Sequence, residues 1–266
     1  MTVNDFFKQE NTLEEVHWRV VAASVRGRGH EKVGQLCQDA HYWVRLPEGI
    51  LVAAVADGAG SASLGKIGAI VAAQTGVETL RDRLATSPLP SDDHEWRLLI
   101  NDILAITRKT VETEAVACQQ SVRELASTLI IVVATSNLVV AAQIGDGVAV
   151  ISDQHGNLIS LTAPQFGEYI NETTFLVSPQ ALETAQITLW QGKTAKIALL
   201  SDGLQMLALE LDQGKPYAPF FSPLFHFVAQ INDETEAKDQ LVAFLRSPKI
   251  TERTDDDLTL LLATLS

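Results

Sequence analysis

Residues 129–144, LIIVVATSNLVVAAQI, form the most apolar stretch of the chain and restrict its fold more than any other. Thr135, Ser136 and Asn137 interrupt the stretch before it reaches the roughly 20 apolar residues that a membrane helix requires. Two short runs rich in β-branched residues, with a polar turn between them, predict two strands joined by a turn. Comparable runs occur at WRVVAASV from Trp18, HYWVRL from His41, ILVAAVA from Ile50, GVAVIS from Gly147, ITLW from Ile187, AKIALL from Ala195 and LTLLLATL from Leu258. With SNL and QHGN as turn signals, the central runs read as hairpins of an antiparallel sheet.

Two helices are expected between the early and central strands. From Leu64, the positions Ile67, Ile70, Val71, Val77, Leu80 and Leu84 recur at helical spacing and leave Lys66, Glu78, Arg81 and Asp82 for the wetter face. A second helix begins after Pro90, where Asp92 followed by Glu95 forms a capping-box pattern, and runs toward Cys118. Residues 163–180 show weak periodicity and several turn formers, which predicts a loop or flap, and helical patterns return at 203–209 and 234–245. No repeat or linker divides the chain. It reads as one domain over 1–266, with a short extension at about 1–16, in which helices cover sheets in a mixed α+β fold.

The composition narrows the function. A formal charge of −13 repels nucleic acid and anionic membrane, so neither is expected as a partner. Cys37 and Cys118 are far apart and outside any zinc or disulfide spacing. They fit a reducing, cytoplasmic compartment, and the acidic N-terminal stretch lacks the pattern of a secretion signal.

Four aspartates stand at the edges of strand-like runs: Asp39 in LCQDAHYW, Asp57 in AVADGAGS, Asp202 in ALLSDGL and Asp256 in TDDDLTLLLA. Taken singly, an Asp-Gly pair is an ordinary turn. Several carboxylates at strand ends can instead face one cleft, and hard oxygen ligands without His or Cys clusters favour Mg²⁺ or Mn²⁺.

The motifs QDA at Gln38, ADGAGS at Ala56, STL at Ser127, IGDG at Ile144, LLSDGL at Leu199 and DDLTLL at Asp256 resemble, in order and spacing, those of type 2C (PPM) metal-dependent serine/threonine protein phosphatases, in particular a bacterial branch. The resemblance implies a central antiparallel β-sandwich flanked by helices on both sides, a four-layer αββα arrangement. It also implies two Mn²⁺ or Mg²⁺ ions held by Asp39, Asp57, the Gly58 carbonyl, Asp202 and Asp256, with Asp146 at a third metal. Asp57 would bridge the pair, and Asp39 and Asp57 would serve the attack of a metal-activated water on phosphoserine or phosphothreonine. The expected partners are phosphorylated proteins and a cognate serine/threonine kinase system, a setting in signalling.

Three positions depart from the family pattern. Gln38 replaces a Glu and supplies no charge, so lower metal affinity is expected. Ala59 stands where some members carry a general-acid His, which leaves His30 or His41 as substitutes. Gly34 stands where an Arg contacts phosphate, which leaves Arg26, Arg28, His30 and Lys32 as candidates, with Arg28 and His30 preferred. Two alternatives remain open at this level: a catalytically weak regulatory module that binds phosphoproteins, and a hydrolase of small-molecule phosphoesters.

Overall fold

The run ILVAAVA is buried at every position because both of its faces are covered. Val52, Ala54 and Ala56 enter a cluster with Ala72, Val77, Ile100 and Leu104, whereas Leu51, Ala53 and Val55 enter another with Ile197, Leu199 and Leu261. Alternate residues of a strand face opposite sides, so a strand in an inner layer reads as a continuous apolar run.

The computed structural model describes residues 17–165, 173–210 and 213–266. The anticipated extension at 1–16 and residues 166–172 of the anticipated flap lie outside the described residues. In chain order the elements begin with β1 (Trp18–Val25), α1 (Arg28–Val33), β2 (Ala40–Leu46), β3 (Ile50–Ala56), α2 (Gly65–Thr86), α3 (Asp93–Ala117), β4 (Leu129–Ala134), β5 (Leu138–Ile144), β6 (Val148–Asp153) and β7 (Leu158–Ser160). They continue with α4 (Ala181–Thr184), β8 (Gln186–Gln191), β9 (Thr194–Leu200), α5 (Gln205–Ala208), β10 (Leu209–Glu210), β11 (Lys215–Pro216), α6 (Ala218–Ala229), α7 (Glu234–Leu245), α8 (Pro248–Thr251) and β12 (Leu258–Leu265).

Two five-stranded antiparallel sheets result, ordered β2-β3-β4-β5-β8 and β1-β12-β9-β6-β7. α2 and α3 cover the first sheet. α6 and α7 cover the second, where Leu260 and Leu262 of β12 meet Phe221, Phe225 and Leu241. The four-layer sandwich expected from the family resemblance is therefore observed. α2 lies close against its neighbours through small residues: a Cβ at Gly76 would approach Ile131 Cδ1 of β4 to 2.8 Å, and one at Gly68 would approach O of Leu125, in the turn Val122–Leu125 before β4, to 2.1 Å. α3 starts with the anticipated cap, Asp92 Oδ1 accepting from Glu95 N at 2.8 Å while Glu95 Oε2 accepts from Ser91 N at 2.8 Å.

Three local expectations change. The hairpins at the SNL and QHGN turns form as β4–β5 and β6–β7 but belong to different sheets, because the chain turns at Gly145, Asp146 and Gly147 and crosses into the second sheet. Gly145 adopts φ +107°, where a side chain would be strained and would also meet Thr128. The segment of Arg26, Arg28, His30 and Lys32, for which no helix was expected, contains the helix α1. α6 is hidden from pattern reading by Pro219 and Pro223, yet Phe221, Leu224, Phe225 and Val228 bury one face of it.

Candidate active site

Strand register gathers the acidic motifs. Ala40 pairs with Ala56, which sets Asp39 beside Asp57 at one end of the first sheet. Leu129 pairs with Ile144 at that end, just before Asp146. In the second sheet Leu200 pairs with both Val148 and Leu260, so Asp202 follows β9 where Asp146 precedes β6 and Asp256 precedes β12.

A cavity of about 140 Å³ lies there, lined by His30, Asp57, Gly58, Ala59, Gly60, Thr128, Asp146, Thr173, Phe175, Asp202 and Asp256. Asp39 is buried; its Oδ2 accepts from Ser201 Oγ at 2.7 Å, and Ser201 Oγ in turn accepts from Thr259 N at 2.9 Å. The Asp57 loop is held by Thr128, whose Oγ1 accepts from Asp57 N at 3.0 Å and whose N donates to Asp57 O at 2.8 Å. Gly58 allows close packing: a Cβ there would fall 2.4 Å from the Gly65 carbonyl.

The electrostatics are those of carboxylates crowded without a counter-charge. Burial, with the charges of Asp39 and Asp202, holds the Asp57 carboxyl well above the usual range. Burial pushes Asp39 up to about 7 despite the hydrogen bond from Ser201, and Asp202 up to about 6. Asp146 is raised by burial even though Thr173 Oγ1 donates to its Oδ2 at 2.6 Å. Asp39 Oδ1 and Asp202 Oδ1 are buried without a hydrogen-bond partner. No Lys or Arg among the described residues lines the cavity.

Two orphaned carboxylate oxygens, one of Asp202 on the wall of this acidic, cation-free cavity and one of Asp39 buried beside Asp57, fit hard divalent cations. Among the described residues, no three Asp, Glu, His or Cys side chains converge on a common ion position.

The other candidates divide. His30 borders the cavity. His41 does not: its Nδ1 lies 2.9 Å from Ser24 Oγ, it lines a separate pocket with Trp43 and Lys238, and burial lowers it to about 4. Arg28 and Lys32 pair with Asp255, and Arg26 lies beside Glu31. Cys37 is a half-buried thiol whose titration is shifted upward by burial, as expected of an incidental cysteine. Gln38 is buried against the Asp57 loop. With its amide nitrogen turned toward that loop it donates to Gly58 O at 3.1 Å and Ala59 O at 3.2 Å; in the opposite orientation it donates to Ala62 O at 3.3 Å.

Sequence reasoning missed Ser201 and Asp257. Three consecutive aspartates carry no signal of their division of labour, yet Asp255 faces α1 from the surface, Asp256 lines the cavity and Asp257 is turned inward and buried. Among the described residues no helix is long and apolar enough to cross a membrane.

Comparison with known proteins agrees with this geometry. A family model described as protein phosphatase 2C matches residues 26–246, a span that includes Asp39, Asp57, Asp146 and Asp202 and ends before Asp256. Serine/threonine-protein phosphatase 3 of Escherichia coli (strain K12) is 34% identical over 252 residues, covering 92% of this chain and 98% of that protein. The serine/threonine phosphatase Stp1 from Staphylococcus aureus superimposes with a TM-score of 0.62 at 13% identity, over 93% of this chain and 94% of that one. The catalytic domain of the serine/threonine protein phosphatase PstP, in complex with two manganese ions, gives 0.60 at 16% identity, over 94% and 98%. Those structures speak for the fold, and the family model together with the 34% identical relative settles the rest: this chain belongs to the protein phosphatase 2C family.

Proposed function

We propose that this chain is a single-domain, metal-dependent phosphatase that hydrolyses phosphoserine and phosphothreonine in protein substrates. The observation that carries the reading is the convergence of Asp57, Asp146, Asp202 and Asp256 on one cavity above the buried Asp39, with two carboxylate oxygens unpartnered. Asp39, Asp57, the Gly58 carbonyl, Asp202 and Asp256 would hold two Mn²⁺ or Mg²⁺ ions, and Asp146 a third. When bound, such ions supply an acidified water as nucleophile and neutralise charge on the phosphoryl oxygens.

The chain contributes the frame. Ser201 and Thr259 orient Asp39 from beneath, and Thr128 fixes the Asp57 backbone. His30 is the imidazole at the cavity edge, placed to hydrogen-bond a phosphoryl or departing oxygen. Arg28 would reach substrate only by leaving Asp255. A cavity of about 140 Å³ formed by the described residues accepts a phosphoryl group more readily than a whole nucleotide, since pockets that enclose drug-sized ligands span roughly 300–1,000 Å³. Phosphoproteins in the cytoplasm, supplied by a serine/threonine kinase system, are therefore the proposed substrates.

The test is hydrolysis of p-nitrophenyl phosphate and a phosphothreonine peptide with Mn²⁺, Mg²⁺ or EDTA, comparing wild type with Asp57→Asn. Metal-dependent turnover that falls at least 100-fold in the variant is expected, on the order of the loss of one strong transition-state interaction. A folded wild type inert toward both substrates with either metal would remove the proposal and favour a phosphoprotein-binding role.

A further inference from the structure

Asp257 is 2% exposed, and its oxygens meet three partners. Its Oδ1 accepts from Gly27 N at 2.6 Å, its Oδ2 accepts from Gln38 N at 2.6 Å, and the same Oδ2 lies 2.8 Å from His30 Nδ1. The backbone partners bracket the segment that contains α1, so one carboxylate closes that segment at both ends and grips the imidazole between them. Packing reinforces the grip: Gly29 N donates to Asp255 O at 2.7 Å, and a Cβ at Gly27 would overlap Asp256 O at 2.1 Å.

An ionised carboxylate only accepts hydrogen bonds, so its contact with Nδ1 requires a proton on that nitrogen. Nε2 is then the ring nitrogen without a partner among the described residues, on a side chain that borders the cavity. The same carboxylate ties Gln38, one residue before Asp39, and lies one residue after Asp256. It therefore couples the position of His30 to the two segments that carry those acids.

From this geometry we infer that Asp257 is a positioning residue: it fixes the tautomer and orientation of His30 and so presents Nε2 to the cleft. Buried partners of this kind orient an imidazole without touching the substrate. An Asn at 257 offers one acceptor oxygen to three donors and turns its NH₂ against the others. Asp257→Asn thus disturbs the arrangement with little change in volume.

The experiment has two arms, and only the kinetic arm rests on the phosphatase reading. In the full chain at about pH 9, above the ordinary imidazole range, long-range ¹H–¹⁵N correlation should show His30 protonated on Nδ1, its signal assigned by loss in His30→Ala. Asp257→Asn should lose that tautomer preference. In metal-dependent turnover of a phosphothreonine peptide, Asp257→Asn and His30→Ala should each lower kcat about tenfold or more. The double variant should fall no further than about twofold below His30→Ala, because the two act as a unit. An Nε2-protonated His30 in wild type overturns the inference even if Asp257→Asn fails to fold. Losses that multiply in the double variant also overturn it, reducing Asp257 to a structural anchor. Absence of any metal-dependent turnover in wild type would count against the phosphatase reading and leave the tautomer result standing.

Discussion

Ser201 Oγ donates to Asp39 Oδ2 at 2.7 Å, a contact between residues 162 positions apart that joins the end of β9 in one sheet to the start of β2 in the other. The two halves of the acidic site are thereby held in register by a buried hydroxyl. Ser201→Ala removes a donor from a carboxylate whose second oxygen already has no partner. The expected loss is about 1–3 kcal/mol of metal-free stability, read by urea denaturation in EDTA, together with weaker Mn²⁺ activation. Unchanged stability and activation would mean that Asp39 is positioned by other contacts.

Acidity governs metal-free stability through Asp39, Asp57 and Asp202. Their folded-state values lie above the ordinary carboxyl range, Asp39 at about 7 and Asp202 at about 6, chiefly from burial. Between roughly pH 4 and 7 the folded chain holds protons that the unfolded chain has released, so stability falls as pH rises, on the order of 1 kcal/mol per pH unit. Below that window both states are protonated and the stability is retained. Mn²⁺ competes with these protons, so its increase in Tm should be larger at pH 8 than at pH 5. Metal-free stability that climbs from pH 5 to 7 would contradict the crowded-carboxylate description.

Gln38 is the family departure for which the structure adds a further role. As a residue without charge it suggested reduced metal affinity, whereas its buried amide serves as a donor to the carbonyls of the 58–62 segment. A carboxylate at this position would face those oxygens with no proton to share. Gln38→Glu is expected to cost about 1–3 kcal/mol at neutral pH without tightening Mn²⁺ binding, as measured by denaturation in EDTA and by isothermal titration. A more stable or tighter-binding variant would restore the simple charge argument.

Gly68 gives a test in which helix propensity and packing disagree in sign. Replacing an interior helical glycine with alanine ordinarily stabilises by about 1 kcal/mol. Here the added Cβ would lie 2.1 Å from Leu125 O, a backbone atom that cannot rotate away. Gly68→Ala should therefore lower stability by about 2 kcal/mol or more, visible as a reduced Tm. A raised Tm would show that α2 has room to shift away from the turn Val122–Leu125.

The local chemistry of this protein was legible in its sequence. The nine longer strands, α2, α3, α7 and the Asp92 cap follow from periodicity, β-branching and capping, all of which act over a few residues. Asp39, Asp57, Asp146, Asp202 and Asp256 were readable as motif positions at strand edges, and register alone then brings strand ends together. What only the tertiary structure decided depends on contacts between distant segments. The crossing at Gly145–Gly147 reflects which sheet can bury Val148 and Val150. α6 exists because the second sheet offers its aromatic face a surface, against the local preference of Pro223. The division of the acidic run into surface pair, cavity wall and buried anchor was set by α1 docking on residues 255–257, as was the choice of His30 over His41. Sequence carries no signal for these because hydrogen bonds between positions more than 200 residues apart leave no periodicity behind.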